Sequence, residues 1–316
     1  MASLDRPFNI LQKSKKNISS SSNIIIIGGC VEMDCNKKLV DERSAVAGVI
    51  EALLIVALVA TVISTIQLVY IPQIMEQREA EHMDEVSNQF SYLKSMIDIQ
   101  VISKSDAPIF SMITLGSREL PYFISARAFG DLSITNDPKD NITWGGLVIC
   151  YLTSIEYNAY NSYFVDQTYA LEGGGVFVKQ PGELSALRVD PPVYIINGTN
   201  KVNVYFNLTK IVSYNNKNST NGYGKTLIRT NYSHTSTAPI YPYTVDGGLN
   251  ISINTDYPNA WYTSLNNTMG SLVNVSLLPP ESPTYVEIKK KEGGKPIDLY
   301  LKENIIFAQI GPGWVT

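Results

Sequence analysis

The sequence is poor in the residues that build most catalytic and metal centres: 316 residues hold three cysteines and two histidines. So few thiols and imidazoles exclude a disulfide-framed scaffold and a Cys/His metal cluster. Charge is also scarce, at 17% of residues and a net of −4, where soluble domains carry about 25% charged residues. No basic stripe stands out, so nucleic acid is not an expected partner. No repeat of fixed period occurs. What is present instead is neutral hydrogen-bonding surface rich in Asn, Ser and Thr, with 19 tyrosines, and one long apolar run.

That run is AVAGVIEALLIVALVATVISTIQLVYI, Ala45 to Ile71, with Glu51 its one charge. As a helix it extends about 40 Å, more than the ~30 Å hydrocarbon core of a bilayer. It exceeds the apolar core of a cleavable signal peptide, and a buried helix of a soluble core seldom lacks a polar face for so long. The run therefore reads as a transmembrane helix over 44–72. Lys37, Lys38 and Arg43 precede it, whereas Glu76, Glu79, Glu81, Asp84 and Glu85 follow it with Arg78. The bias of basic residues places the N-terminus in the cytoplasm and the C-terminal part outside. On that topology Cys30 and Cys35 lie inside and Cys150 outside, with no intrachain partner.

Pro72 bends the helix, and a helical pattern resumes over 73–104. Met75, His82, Val86, Phe90, Leu93 and Ile97 recur at helical spacing on one face. This predicts an amphipathic continuation packed on the outer domain or on a neighbouring subunit; a plain stalk is the alternative. From 105 to 316 the pattern changes to short runs rich in Val, Ile, Tyr and Thr, punctuated by Pro, Gly and Asn. The expected fold class is α+β, with two helical segments followed by an all-β sandwich or jelly-roll-like domain. KVNVYFNLTKIV predicts one long strand. Gly173, Gly174 and Gly175 predict a hairpin turn, and TYVEIKKKEGGKPIDLYL a hairpin turning at Glu292-Gly293-Gly294.

Eight N-x-S/T sequons follow the apolar run, at Asn141, Asn197, Asn207, Asn218, Asn231, Asn250, Asn266 and Asn274. Outside the cell they are candidates for glycosylation, against the simpler account of a hydrophilic surface; Asn17 lies in a sequon on the inner side. Asp137 and Asp140 in TNDPKDN suit either an outer calcium contact or an Asx-rich turn. Gly224-Lys225-Thr226 lacks the first glycine of a phosphate-binding loop and follows no strand that opens a helix. His82 lies on the helix and His234 in the polar NYSHTST loop, where a lone histidine is more often solvated than catalytic. No cofactor, no metal and no enzymatic activity are expected. At the N-terminus, IIIIGGC ending at Cys30 has too short an apolar stretch for a lipoprotein signal, and Met33 as the true start leaves a short basic leader before the helix.

DERSAVAGVIEALLIVALVATVI, Asp41 to Ile63, resembles the N-terminal region of archaeal type IV pilins and pilin-like proteins. Ser44, Val46, Gly48, Val49 and Ile50 match that family's pattern, with Ala45 in place of Pro and Ala47 in place of Ile. ITLGSRELPYFISARAFGDLSI and LEGGGVFVKQPGELSALRVDPPVYI are similar to segments of uncharacterised archaeal pilin-like surface proteins. The resemblance implies a leader, 1–43, cut by a membrane peptidase between Arg43 and Ser44. It also implies assembly of like subunits through the helix, with Gly48 and Glu51 as the assembly residues. Arg43 stands where the family often has Gly or Ala, and Glu51 where Leu is common. A Glu in an apolar helix costs about 2.5–3.5 kcal/mol unless paired, which makes it a candidate partner for a neighbour's new amine; snorkelling to the interface is the alternative. The expected function is a pilin-like structural or adhesive subunit of the cell envelope, with membrane lipid, a leader peptidase and like subunits as partners. The alternative is an unpolymerised, single-pass surface glycoprotein whose β-domain binds a ligand or the surface layer.

Overall fold

The computed structural model describes residues 35–117, 128–182, 184–234, 242–246 and 248–311, with side chains described from Val46 onward. Asn17, Cys30 and Met33 lie outside the described residues, as does 118–127 of the second resembling segment. The chain divides into two compact units, Met1–Val62 and Ile63–Thr316.

Helix α1 runs over Cys35–Thr65, a π-helical turn over Ile66–Tyr70 and helix α2 over Ile71–Ser103. Every residue from Val46 to Tyr70 is exposed, and the helix from Val46 is long and apolar enough to cross a membrane. The π turn has a local cause. Pro72 has no N–H to give the carbonyl four residues back, and its ring crowds that carbonyl. The turn widens, and the Ile71 N–H bonds the Ile66 carbonyl, five residues back.

Helix α2 obeys the predicted periodicity. Met75, Val86, Phe90, Leu93 and Ile97 are buried, and so is His82. Each such apolar side chain contributes roughly 1.5–3 kcal/mol of transfer free energy. The helix packs on strands of its own unit, and four of these residues, Val86 to Ile97, belong to one core cluster with them. It is no bare stalk. It ends at Lys104 in the left-handed conformation, φ 51°.

The β-rich region begins with β1 (Ile109–Thr114), β2 (Phe129–Thr135), β3 (Asn141–Trp144), β4 (Leu147–Tyr151), β5 (Ser154–Tyr160) and β6 (Gln167–Glu172). Next come β7 (Gly175–Lys179), β8 (Ala186–Val189), β9 (Val193–Asn197), β10 (Val202–Ser213), β11 (Ser219–Gly222) and β12 (Lys225–Tyr232). After β13 (Tyr243–Val245) and β14 (Ile251–Asn254) stands helix α3 (Pro258–Met269), and then β15 (Asn274–Leu278), β16 (Tyr285–Lys289) and β17 (Ile297–Ile310). They form three sheets. One is ordered β1-β12-β17-β10-β9, with β13 also on β17; the second is β11-β2-β5-β6-β7-β8; the third is β15-β16-β14-β3-β4.

The expected long strand is β10, and it pairs in parallel with β17 from Val202↔Ile297 to Ser213↔Ala308. These two strands serve two cores on opposite faces of their sheet. Val202 to Leu208 and Ile297 to Leu301 face α3 and the third sheet. Ile211, Ile306, Ala308 and Ile310 face α2 and the second sheet. Strands β6 and β7 send alternate residues to the two cores (Ala170 and Phe177 to one, Leu171 and Val176 to the other), so they read as a continuous apolar run.

Gly173 and Gly174 make the predicted β6–β7 turn, at φ 58° and 90°. The second hairpin does not form. Strand β16 pairs with β14 and β15, while β17 lies in another sheet beside β10 and β12. The Glu292-Gly293-Gly294 turn therefore carries the chain between sheets.

Candidate functional site

The predicted site residues fall into two groups. Arg43 and Ser44 lie in the helical backbone of α1, and their side chains are outside the described ones. Gly48 and Glu51, three residues apart, share one helix face. Glu51 is exposed, and nothing lies within 4 Å of where a Cβ on Gly48 would stand. That face has room for another helix.

The sequons differ in what their amides do. Asn197, Asn218, Asn266 and Asn274 are exposed; Asn207, Asn231 and Asn250 are half-buried. Asn250 donates its Nδ2 to the buried Glu287 carboxylate. Asn141 is buried, and its Nδ2 donates to the Pro138 and Lys139 carbonyls at 2.9 and 3.0 Å. Its Oδ1 accepts from Asn254, so Asn141 is the poorest sugar acceptor of the eight.

Two polar centres hold the Ile63–Thr316 unit together, and neither was singled out in the sequence. The fully buried Glu79 carboxylate accepts the backbone N–H groups of Ser162, Tyr163 and Phe164 at 3.1, 2.7 and 2.7 Å. It clamps the loop between β5 and β6 onto α2. The other centre is Glu172, buried beside α3, whose Oε1 accepts the Trp261 indole N–H at 2.8 Å and the Thr255 hydroxyl at 2.7 Å. Burial pushes its pKa up to about 8, with Asp140 and Glu156 nearby adding to the rise. Asp140 is likewise raised to about 7, by burial first and then by Asp256, Asp137 and Glu156. Asp137 accepts the Lys139 N–H at 2.9 Å, closing the Asx turn weighed above. Among the described residues no group of three or more His, Cys, Asp or Glu side chains could hold a metal ion.

His82 is buried on α2 with Nε2 bonded to the Thr114 carbonyl at 2.9 Å. Since a carbonyl only accepts, Nε2 carries the hydrogen; burial lowers the ring's pKa and favours its neutral form. His82 lines a cleft of about 390 Å³ with Arg78, Glu81, Glu85, Thr114 and Lys225. The charges that line it are mixed and point to no particular chemistry. His234 is exposed, edge-on to Tyr232. Cys150 is free and buried, and burial pushes its thiol pKa up, keeping it in the unreactive thiol form.

The signals for Glu79 and Glu172 were in the sequence without their partners. Glu79 stands four residues after Met75 and four before Met83, on the apolar face of α2. Glu172 interrupts the apolar run between Leu171 and the glycines. A carboxylate at a core position predicts donors, but these lie more than 80 residues away in sequence.

No protein-family model, no curated protein and no solved structure matches the chain.

Proposed function

We propose that this chain is a pilin-like structural or adhesive subunit of the cell envelope, non-enzymatic, with its leader in the cytoplasm and its β-rich domain outside. One observation carries this reading: the helix is apolar around its whole exposed circumference from Val46 to Tyr70, save for Glu51 and a few neutral polar groups. Such a surface suits lipid and a bundle of like helices equally well, so a subunit exchanges one for the other with little change in solvation. Lipid holds it before assembly, and neighbouring copies hold it afterwards. Glu51 then favours the bundle, where a neighbour's amine, freed by cleavage before Ser44, offsets part of the cost of burying a carboxylate. Gly48, on the same face, lets backbones approach closely.

The four exposed sequons favour a second reading, an anchored glycoprotein that stays unpolymerised and binds a ligand or the surface layer. Mass spectrometry of the mature N-terminus separates the two. The pilin-like reading expects a chain beginning at Ser44, with Glu51→Gln inserting normally and assembling poorly. An intact leader on fully displayed protein sinks that reading; a cut leader with unaffected assembly removes only the role of Glu51.

A further inference from the structure

Two patches on the Ile63–Thr316 unit complement one another in charge and both expose large apolar or aromatic side chains. The first lies on α2 and β1, at one edge of the first sheet. Tyr92, Ile99 and Ile102 share a helix face and are 53%, 51% and 82% exposed. Met112, 46% exposed, pairs across the strands with the exposed Leu227. Tyr92 and Met112 line one groove of about 600 Å³ with Glu81, Asp84, Glu85 and two amides; among the described residues no basic one lines it, and Glu81 and Glu85 also border the cleft that holds Arg78 and Lys225.

The second patch lies at the opposite edge of the same sheet. Tyr194, Tyr205 and Tyr300 stand side by side on β9, β10 and β17. Their rings stack at centroid distances of 4.7 and 4.8 Å. Ile196, 50% exposed, lies two residues along β9 from Tyr194. The surrounding charges are Lys201 and Lys302 against Asp298, which pairs with Lys201 at 2.8 Å, with Asp246 acting on Lys201 and pairing with Lys290 at 2.9 Å. Three lysines, Lys201, Lys290 and Lys302, thus stand against two carboxylates, Asp298 and Asp246, and the rim is net positive by one charge.

Met112 and Leu227 of the first patch lie on the face of the sheet opposite the tyrosine row. Met112 points away from the core that holds Ile113, whereas Tyr300 points away from the other core, which holds Leu299 and Leu301. A contact joining the first patch of one copy to the second of the next is heterologous, and such contacts propagate into rings or filaments instead of closing as dimers. Exposed apolar patches with an aromatic centre are what stable interfaces bury.

We infer that the outer units of two copies of this chain dock head to tail, the acidic α2–β1 groove of one receiving the tyrosine row of the next. This rests on the reading that copies assemble, and it adds a second contact between copies to the one made by their helices. It also requires Asn207, two residues from Tyr205 on the same face, to remain unglycosylated.

The test uses full-length chains carrying Met112→Cys or Ile196→Cys, with Cys30 and Cys35 replaced by Ser and the buried Cys150 retained. The two variants are expressed together in one membrane and treated with a short bis-maleimide. The docked arrangement gives several-fold more cross-linked dimer in the mixture than in either variant alone. Asp84→Lys should reduce that yield several-fold, and Lys302→Glu on the partner should restore it. Equal yields in the single-variant samples, no dimer, or a glycan on Asn207 of assembled protein overturns the inference. The mature N-terminus is read on the same samples. A mixed cross-link with an intact leader keeps this contact and removes the pilin-like reading, and a cut leader without the mixed cross-link removes this contact alone.

Discussion

The carboxylate of Glu79 accepts the backbone N–H of Phe164 at 2.7 Å, across 85 residues of chain. Two more N–H groups, from Ser162 and Tyr163, complete the cradle. A buried charge met by three fixed donors is well satisfied, and a neutral side chain of the same shape cannot replace it. Glu79→Gln leaves one acceptor oxygen and turns an NH₂ group towards backbone N–H donors. The expected cost is about 2–4 kcal/mol of stability, from lost charge-assisted bonds and stranded donors. Thermal unfolding of the full chain in detergent checks this. A change within ~0.5 kcal/mol, the range of an ordinary surface substitution, would show the cradle to be dispensable.

Helix α2 leads to a second prediction. Its buried residues complete the core that also contains Ile113, Tyr157, Tyr169 and Ile306. A chain beginning at Ala107 leaves those strands facing water and should aggregate on expression. One beginning at Gln73 lacks the exposed apolar turns but keeps Met75 to Gln100, and should be soluble and folded by circular dichroism. Equal solubility of the two chains would refute the placement of α2 in the core.

How much of this was legible depended on range. The periodicity of α2 was local, and the burial of Val86, Phe90, Leu93 and Ile97 follows from it. The β6–β7 turn was local too, because adjacent glycines with positive φ announce themselves. The Glu292-Gly293-Gly294 turn failed as a hairpin because alternation in TYVEIKKK and IDLYLKEN is the same whichever strand lies alongside. Only tertiary packing places β17 parallel to β10. The tyrosine row was invisible for the same reason: Tyr194, Tyr205 and Tyr300 meet through register, not through sequence spacing.

Sequon use gives a third prediction. In a host that glycosylates exported chains, glycopeptide mass spectrometry should find sugar most often on the exposed Asn197, Asn218, Asn266 and Asn274. Asn141 should stay bare, because its amide nitrogen serves two carbonyls within the turn before β3. High occupancy at Asn141 would mean that the turn forms only after modification.

The last prediction concerns pH. Glu172 titrates near 4.5 when exposed and at about 8 in the fold, raised first by burial. A folded-state pKa above the unfolded one means that the native state binds this proton more tightly. The stability it contributes is fully present below about pH 4.5 and is lost as pH rises through 8. Asp140, raised from 3.8 to about 7, acts in the same direction over a slightly lower window. His82 acts in the opposite sense. Its pKa is lowered by burial, so its contribution is present above about 6.5 and is lost as pH falls. The wild-type melting temperature should therefore decline from pH 6.5 to 9. Glu172→Gln keeps an acceptor oxygen for the Trp261 indole and the Thr255 hydroxyl and stays neutral at every pH, so it should flatten most of that decline. At pH 9 the variant should be the more stable protein, and near pH 5 the two should nearly coincide. Parallel profiles across this range would show that Glu172 ionises without penalty, and that the bonds from Trp261 and Thr255 already stabilise a carboxylate.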